Sequence, residues 1–139
     1  MSESNLENIA FRLNGYETAA GSTFVAEMNE GGETVTVTCS NNAEFPIILA
    51  QTDTQILSVC PLFTLDDVAE EDHAALNKIL LQLSPVVPLS SFGYQGDSIL
   101  LYGAMAVNTL FENLAHELEV QANNTLDVLE SLTEFLKPE

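Results

Sequence analysis

The sequence predicts a single α+β domain over residues 1–139: a twisted antiparallel sheet of about six strands with helices packed on it, in the order α-β-β-β-β-α-β-β-α. Two patterns and one size argument carry that expectation. Three pairs of short segments alternate apolar and polar residues around a turn signal. Three other segments repeat apolar residues at three- and four-residue spacing. With 139 residues, 46% of them hydrophobic, the chain is long enough for one core that takes roughly two-thirds of the unfolded surface out of water.

Residues 4–14 open the fold as an amphipathic helix, with Leu6, Ile9, Ala10 and Leu13 on one face, Ser4 at the N-cap and Gly15 as the stop. The period then changes to two. If Gly31 and Gly32 form a two-residue turn, Met28 pairs with Val35, Ala26 with Val37 and Phe24 with Cys39, all on one face. Glu27, Thr34, Thr36 and Thr38 take the wet face. The next pair turns at Asp53 and Thr54 and is apolar on both sides, through Ile47, Ile48, Leu49, Ile56, Leu57 and Val59, which places it centrally in the sheet. Pro46 and Pro61 mark its outer ends, where a missing amide donor is tolerated.

A second helix is expected from Thr64, its N-cap, with Asp67 three positions on and a stripe of Val68, Ala75, Leu76, Ile79, Leu80 and Leu83, closed by Pro85. The stretch SFGYQGDSILLYGAM, residues 91–105, looks at first like a nucleotide loop. A phosphate loop opens directly into a helix N-terminus, whereas here the turn leads into another strand with no cation near. Gly96 and Asp97 instead make a hairpin turn that pairs Tyr94 with Ile99 and Phe92 with Leu101 on one side, and Ser91 with Tyr102 on the other. From residue 108 onward Leu110, Phe111, Leu114, Leu118, Leu126, Leu129, Leu132 and Leu136 form a third helical stripe. It keeps its phase through the Asn123-Asn124-Thr125 break, which favours one continuous or slightly bent helix over two, ended by Pro138.

Charge excludes whole classes of function. Twenty-one acidic residues face only Arg12, Lys78 and Lys137, for a formal net charge of −18. Three scattered cations cannot neutralise a run of phosphates, so nucleic acid is discounted, and anionic membrane surfaces with it. A protein partner with basic character is the kind this surface attracts. The N-terminal MSESNLENIAF has acids where an export signal would carry positive charge, and no apolar run approaches the roughly 20 residues a bilayer demands. The expectation is a cytoplasmic protein. In that compartment Cys39 and Cys60 read as free, buried thiols rather than a disulfide.

No residue constellation reads as catalytic, cofactor-binding or metal-binding. His73 sits among Glu70, Glu71 and Asp72, but consecutive positions spread around a helix and do not converge. Glu112, His116 and Glu119 share a helix face, opposite the leucine stripe and hence turned to water, and lack the further ligands of a metal site. Both histidines fall on helix surfaces, away from any role as base for a cysteine nucleophile. The acids always offer some carboxylate pair, which leaves open an enzyme or small-ligand domain working between sheet and helices. More informative are Phe92, Tyr94, Tyr102 and Phe63, which exceed what one sheet face must bury, and Val120 and Val128, off the main stripe of the last helix. Such side chains make a partner or dimer surface, or else finish the core.

In element order and acidity the chain resembles the type III secretion chaperones and the YbjN-like proteins. Residues 84–132, above all PLSSFGYQGDSILLYGAM and the leucine-rich helix after it, are similar to the YjfI-like family of small bacterial cytoplasmic proteins of unknown function. That resemblance implies no catalytic residues. It implies an adaptor near proteins similar to PspA, the coiled-coil membrane-stress scaffold, while likeness to the secretion chaperones implies a possible homodimer that holds an unfolded segment of another protein. The expectation is therefore a non-enzymatic, chaperone-like protein. Its partner would be gripped by Phe92, Tyr94 and Tyr102 and attracted by Asp66, Asp67, Glu70 and Glu71.

Overall fold

The computed structural model describes residues 2–136, with side chains from Leu6 onward; Lys137 and Pro138 lie outside the described residues, but the last helix already ends at Leu132 and gives way to a 3-10 turn, short of the expected stop at Pro138. Helix α1 (Ser2–Leu13) leads into strands β1 (Phe24–Met28), β2 (Thr34–Cys39), β3 (Asn42–Gln51) and β4 (Gln55–Thr64). Helix α2 (His73–Leu83), strands β5 (Ser91–Gln95) and β6 (Ser98–Ala106) and helix α3 (Phe111–Leu132) complete the order. The six strands form one antiparallel sheet in the order β1-β2-β3-β4-β6-β5, with the doubly apolar β3 and β4 at its centre.

The hairpin registers follow from alternation and turn chemistry. β1 and β2 pair Met28 with Val35, Ala26 with Val37 and Phe24 with Cys39, as the sequence predicts. The turn differs in detail: the Gly32 amide donates to the Asn29 carbonyl at 2.9 Å, so Glu30 and Gly31 are its central residues. β5 and β6 pair Tyr94 with Ile99 and Phe92 with Leu101, around Gly96 at a φ of 60°. Pro46 and Pro61 do not mark strand ends. Both lie inside ten-residue strands, close to places where the β2–β3 and β4–β6 registers shift, and a bulge frees a strand from the donor that proline lacks.

All three helices pack on one face of the sheet. α1 and α3 cover the larger cluster, in which Leu13, Val35, Val37, Ile47, Leu49, Leu101 and Leu118 are buried. α2 and the end of α3 cover a smaller one around Leu76, Leu80, Ile99 and Leu132. The other face carries a cross-strand row running Thr36, Ile48, Val59, Tyr102, flanked by Leu57 and Ala104. It is left half-exposed or exposed.

Helix boundaries differ from the sequence expectation, with physical reasons. α1 begins at Ser2, so Ser4 lies in its first turn instead of capping it. The Thr64–Asp67 signal is real, since the Thr64 amide donates to Asp67 Oδ2 at 3.0 Å, but it starts a single 3-10 turn at the end of β4. A second such turn, Glu70–Asp72, precedes α2, so the acidic segment is turn rather than helix and Ala75 faces water. His73 is half-buried, not on the surface. Its Nε2 lies 3.2 Å from the Leu65 carbonyl and 3.1 Å from that of Val68, clasping these turns to the helix start.

α3 runs unbroken through residues 123–125, and its inward face is partly polar. Leu110 and Leu126, assigned to the apolar stripe, are exposed, while Gln121, Asn124, Thr125 and Val128 point inward. Gln121 Nε2 donates to the Ser58 carbonyl at 3.1 Å and to that of Leu101 at 2.9 Å; Asn124 Nδ2 donates to the Pro88 carbonyl at 2.6 Å. Glu119 does not turn to water with Glu112 and His116. It is buried, and its Oε2 accepts a 2.7 Å hydrogen bond from the Thr18 hydroxyl.

Candidate functional site

The β5–β6 hairpin gathers the aromatic residues singled out in the sequence, but distributes them over two faces. Phe92 and Tyr94 share the helix side of β5, while Tyr102, one residue out of phase, stands on the open side. Phe92 is half-buried and touches both core clusters, and its remaining surface lines a groove beside α2. Tyr94 is 44% exposed and Tyr102 37% exposed. The Tyr94 hydroxyl donates to Asn77 Oδ1 on α2, and burial pushes its pKa above the usual phenol value.

Between α2 and β5 runs an apolar groove of about 300 Å³ lined by Asn77, Leu80, Leu81, Ser84, Phe92, Gly93 and Tyr94. Its rim is greasy: Leu81 is 76% exposed, with Val86 and Leu89 also exposed in the loop that follows α2. On the reverse face a shallow hollow of about 450 Å³ is lined by Val59, Leu100 and Tyr102, and it too reaches Gly93 and Tyr94. At Gly93 a Cβ would meet Tyr102 Cε1 at 2.9 Å, so any larger residue there has to displace the Tyr102 ring. A one-way rule tolerates scattered exposed apolar side chains, but Leu81 and Tyr94 line one groove.

Asp66, Asp67, Glu70 and Glu71 are exposed beside this rim. The Leu65 amide donates to the Asp97 carbonyl at 2.9 Å, which ties the acidic turns to the tip of the β5–β6 hairpin. The structure thus brings Tyr94 and the acids to one end of the molecule. Phe92 shares the groove with Tyr94, whereas Tyr102 lies on the reverse face. Leu81 and Ser84 were missed in the sequence because their spacing reads as ordinary helix; the one available signal was Leu81 beside Leu80, a leucine too many for one face.

Cys39 and Cys60 are free and buried, and burial pushes both thiols above their usual pKa, away from the nucleophilic thiolate. Among the described residues no three His, Cys, Asp or Glu side chains come together to hold a metal ion. Val128 is buried, not part of a second surface, and Val120 is half-buried. Among the described residues no helix is long and apolar enough to cross a membrane.

The fold has solved counterparts. The structure of the heterodimeric ExoU–SpcU complex from the type III secretion system of Pseudomonas aeruginosa contains a chain that superposes with a TM-score of 0.52 at 14% identity, over 100% of both chains. A chain in the crystal structure of the ExsC–ExsE complex matches with a TM-score of 0.46 at 14% identity, over 96% of this chain and 92% of that one. A search of curated proteins gives no match. At the level of sequence, a family described as an uncharacterized protein conserved in bacteria matches residues 3–136, nearly the whole fold, and the chain belongs to that family, DUF2170.

Proposed function

We propose that this chain is a non-enzymatic adaptor or chaperone-like protein that holds a segment of a partner polypeptide at the α2–β5 rim. The observation that carries the reading is the groove with Leu81 and Tyr94 exposed at its lip, on a chain of net charge −18. Acids supply attraction for a basic partner and the apolar lip supplies burial, a division of labour common to protein interfaces. The ExoU–SpcU neighbour, itself a heteromeric complex, supports that reading by fold analogy alone. A link to a PspA-like membrane-stress system and a cytoplasmic location belong to the same proposal through the YjfI-like resemblance, and a homodimer through the likeness to the secretion chaperones.

The rival, an enzyme built on a carboxylate pair, would place acids in a concave site, and no carboxylate lines this groove. Affinity capture from native lysate, at low and at physiological salt, tests the proposal. A protein partner retained by the wild-type chain and lost on Leu81→Asn is the expected result. Recovery of no protein at either salt overturns it.

A further inference from the structure

The sheet ends in two edge strands, and the fold treats them differently. β1 is one edge. In its hairpin the Asn29 amide donates to the Thr34 carbonyl, and the alternation of an antiparallel ladder then turns the amide and carbonyl of Ala26 outward. One side chain takes both: the Ala26 amide donates to Asn14 Oδ1 at 2.8 Å, and Asn14 Nδ2 donates to the Ala26 carbonyl at 2.9 Å. The Asn14 amide stands where the backbone of a further strand would, and blocks the middle of that edge.

β5 is the other edge. The Phe92 amide turns away from β6 to donate to Ser84 Oγ at 3.1 Å, so ladder alternation puts the amide and carbonyl of Tyr94 on the same outer side. Among the described residues nothing takes them. The groove and the reverse hollow meet at Gly93 and Tyr94, one on each face of the strand.

We propose that an extended segment of another protein adds to this edge as a seventh strand, hydrogen-bonded to the Tyr94 backbone. Side chains of a strand alternate between faces, so one set enters the groove against Leu80, Leu81 and Phe92 and the other lies over Tyr102 and Leu100. Both sets are apolar. The residues at the end nearest the hairpin tip are basic, because Asp97 and the acidic turns Asp66–Glu71 lie there. A second copy of this chain is a poor occupant: it brings a charge of −18 and only Arg12, Lys78 and Lys137 as cations. The inference rests on the protein-binding reading above and adds its geometry and the chemistry of the partner.

The test uses a synthetic strand of valine, leucine and threonine preceded by two lysines, a twin with glutamates in place of the lysines, and a lysine peptide N-methylated where it would face Tyr94. Affinity is read by fluorescence anisotropy and location by backbone amide shifts. The lysine peptide is expected to bind at least about tenfold more tightly than its glutamate twin and to shift the amides of Gly93, Tyr94 and Gln95. N-methylation or Tyr94→Pro abolishes that binding. Proline suits an edge position whose amide faces outward, and thermal unfolding checks that the variant folds. Leu81→Asn, which spares the edge and alters the groove, weakens binding and serves if Tyr94→Pro does not fold.

Failure of both peptides to bind, binding indifferent to these changes, or shifts on another surface overturns the proposal. So does light scattering showing a dimer that Tyr94→Pro dissociates, since a second copy then holds the edge. If lysate capture survives Tyr94→Pro while the peptides fail, the protein-binding reading stands and the edge does not. If the wild-type chain captures nothing, the reading itself falls.

Discussion

Gln121 shows how a buried polar side chain fixes a helix to a sheet. It is 2% exposed and donates to carbonyls on both β4 and β6, so it ties α3 across the seam between them. Leucine at that position keeps the volume but leaves two carbonyls without their donor. Gln121→Leu is expected to cost about 1–3 kcal/mol, read from the midpoint of urea unfolding with an unchanged m-value. The thiols give a second expectation at this scale. Burial holds the pKa of Cys39 and Cys60 above 9.0, so the folded state keeps their protons more tightly than the unfolded chain does. Their stabilising contribution is complete below about pH 9 and fades as pH rises through the folded values. Urea midpoints of the wild-type chain therefore fall above pH 9. A Cys39→Ala, Cys60→Ala double variant, less stable at neutral pH, keeps only the shallower part of that slope that Tyr94, also raised, supplies above about pH 10; an identical slope in both chains sinks the assignment.

Among the elements, the hairpins were legible and the helix ends were not. Alternation in β1–β2 and β5–β6 leaves one register in which every apolar residue shares a face, so a slip of one residue would expose them all. The inward face of α3 was not legible in the same way, because a hydrophobic stripe can assign only apolar residues to the core, whereas Gln121, Asn124 and Thr125 earn burial through partners distant in sequence. The start of α2 misled for a related reason: the Thr64–Asp67 bond is local and serves a 3-10 turn as well as a helix. Of the proposed binding rim, its aromatic residues were readable and their division between two faces followed from the pairing; the groove was not, since it needs α2 beside β5. Edge protection supplies the prediction at this scale. Asn14→Ala removes both hydrogen bonds to Ala26 and opens β1 to pairing. A loss of about 1–3 kcal/mol is expected, with concentration-dependent association in light scattering beyond the wild-type mass. A variant that is destabilised but stays at the wild-type mass would show that Asn14 braces α1 without guarding the edge.

The whole molecule is a compact core inside a strongly negative shell, and salt should therefore act on its stability and on its binding in opposite directions. A formal charge of −18 on 139 residues repels itself more in the folded state than in the expanded chain. Only three cations oppose this, and Arg12 holds its guanidinium over the Phe111 ring, 4.2 Å from the centroid, where Tyr16 also packs edge-on. Raising sodium chloride from about 20 mM to about 500 mM shortens the screening length from roughly 20 Å to roughly 4 Å. The melting temperature is expected to climb by several degrees, and to climb equally in potassium chloride, because screening does not depend on which monovalent cation supplies it. Over the same range a basic partner at the α2–β5 rim loses the attraction of Asp66, Asp67, Glu70 and Glu71, while contacts with Leu81 and Tyr94 persist. Association rates then fall steeply with salt and dissociation rates change little. A melting temperature that is flat or falling with salt would mean that charge does not limit this fold, and a binding rate indifferent to salt would remove the acidic turns from the recognition surface.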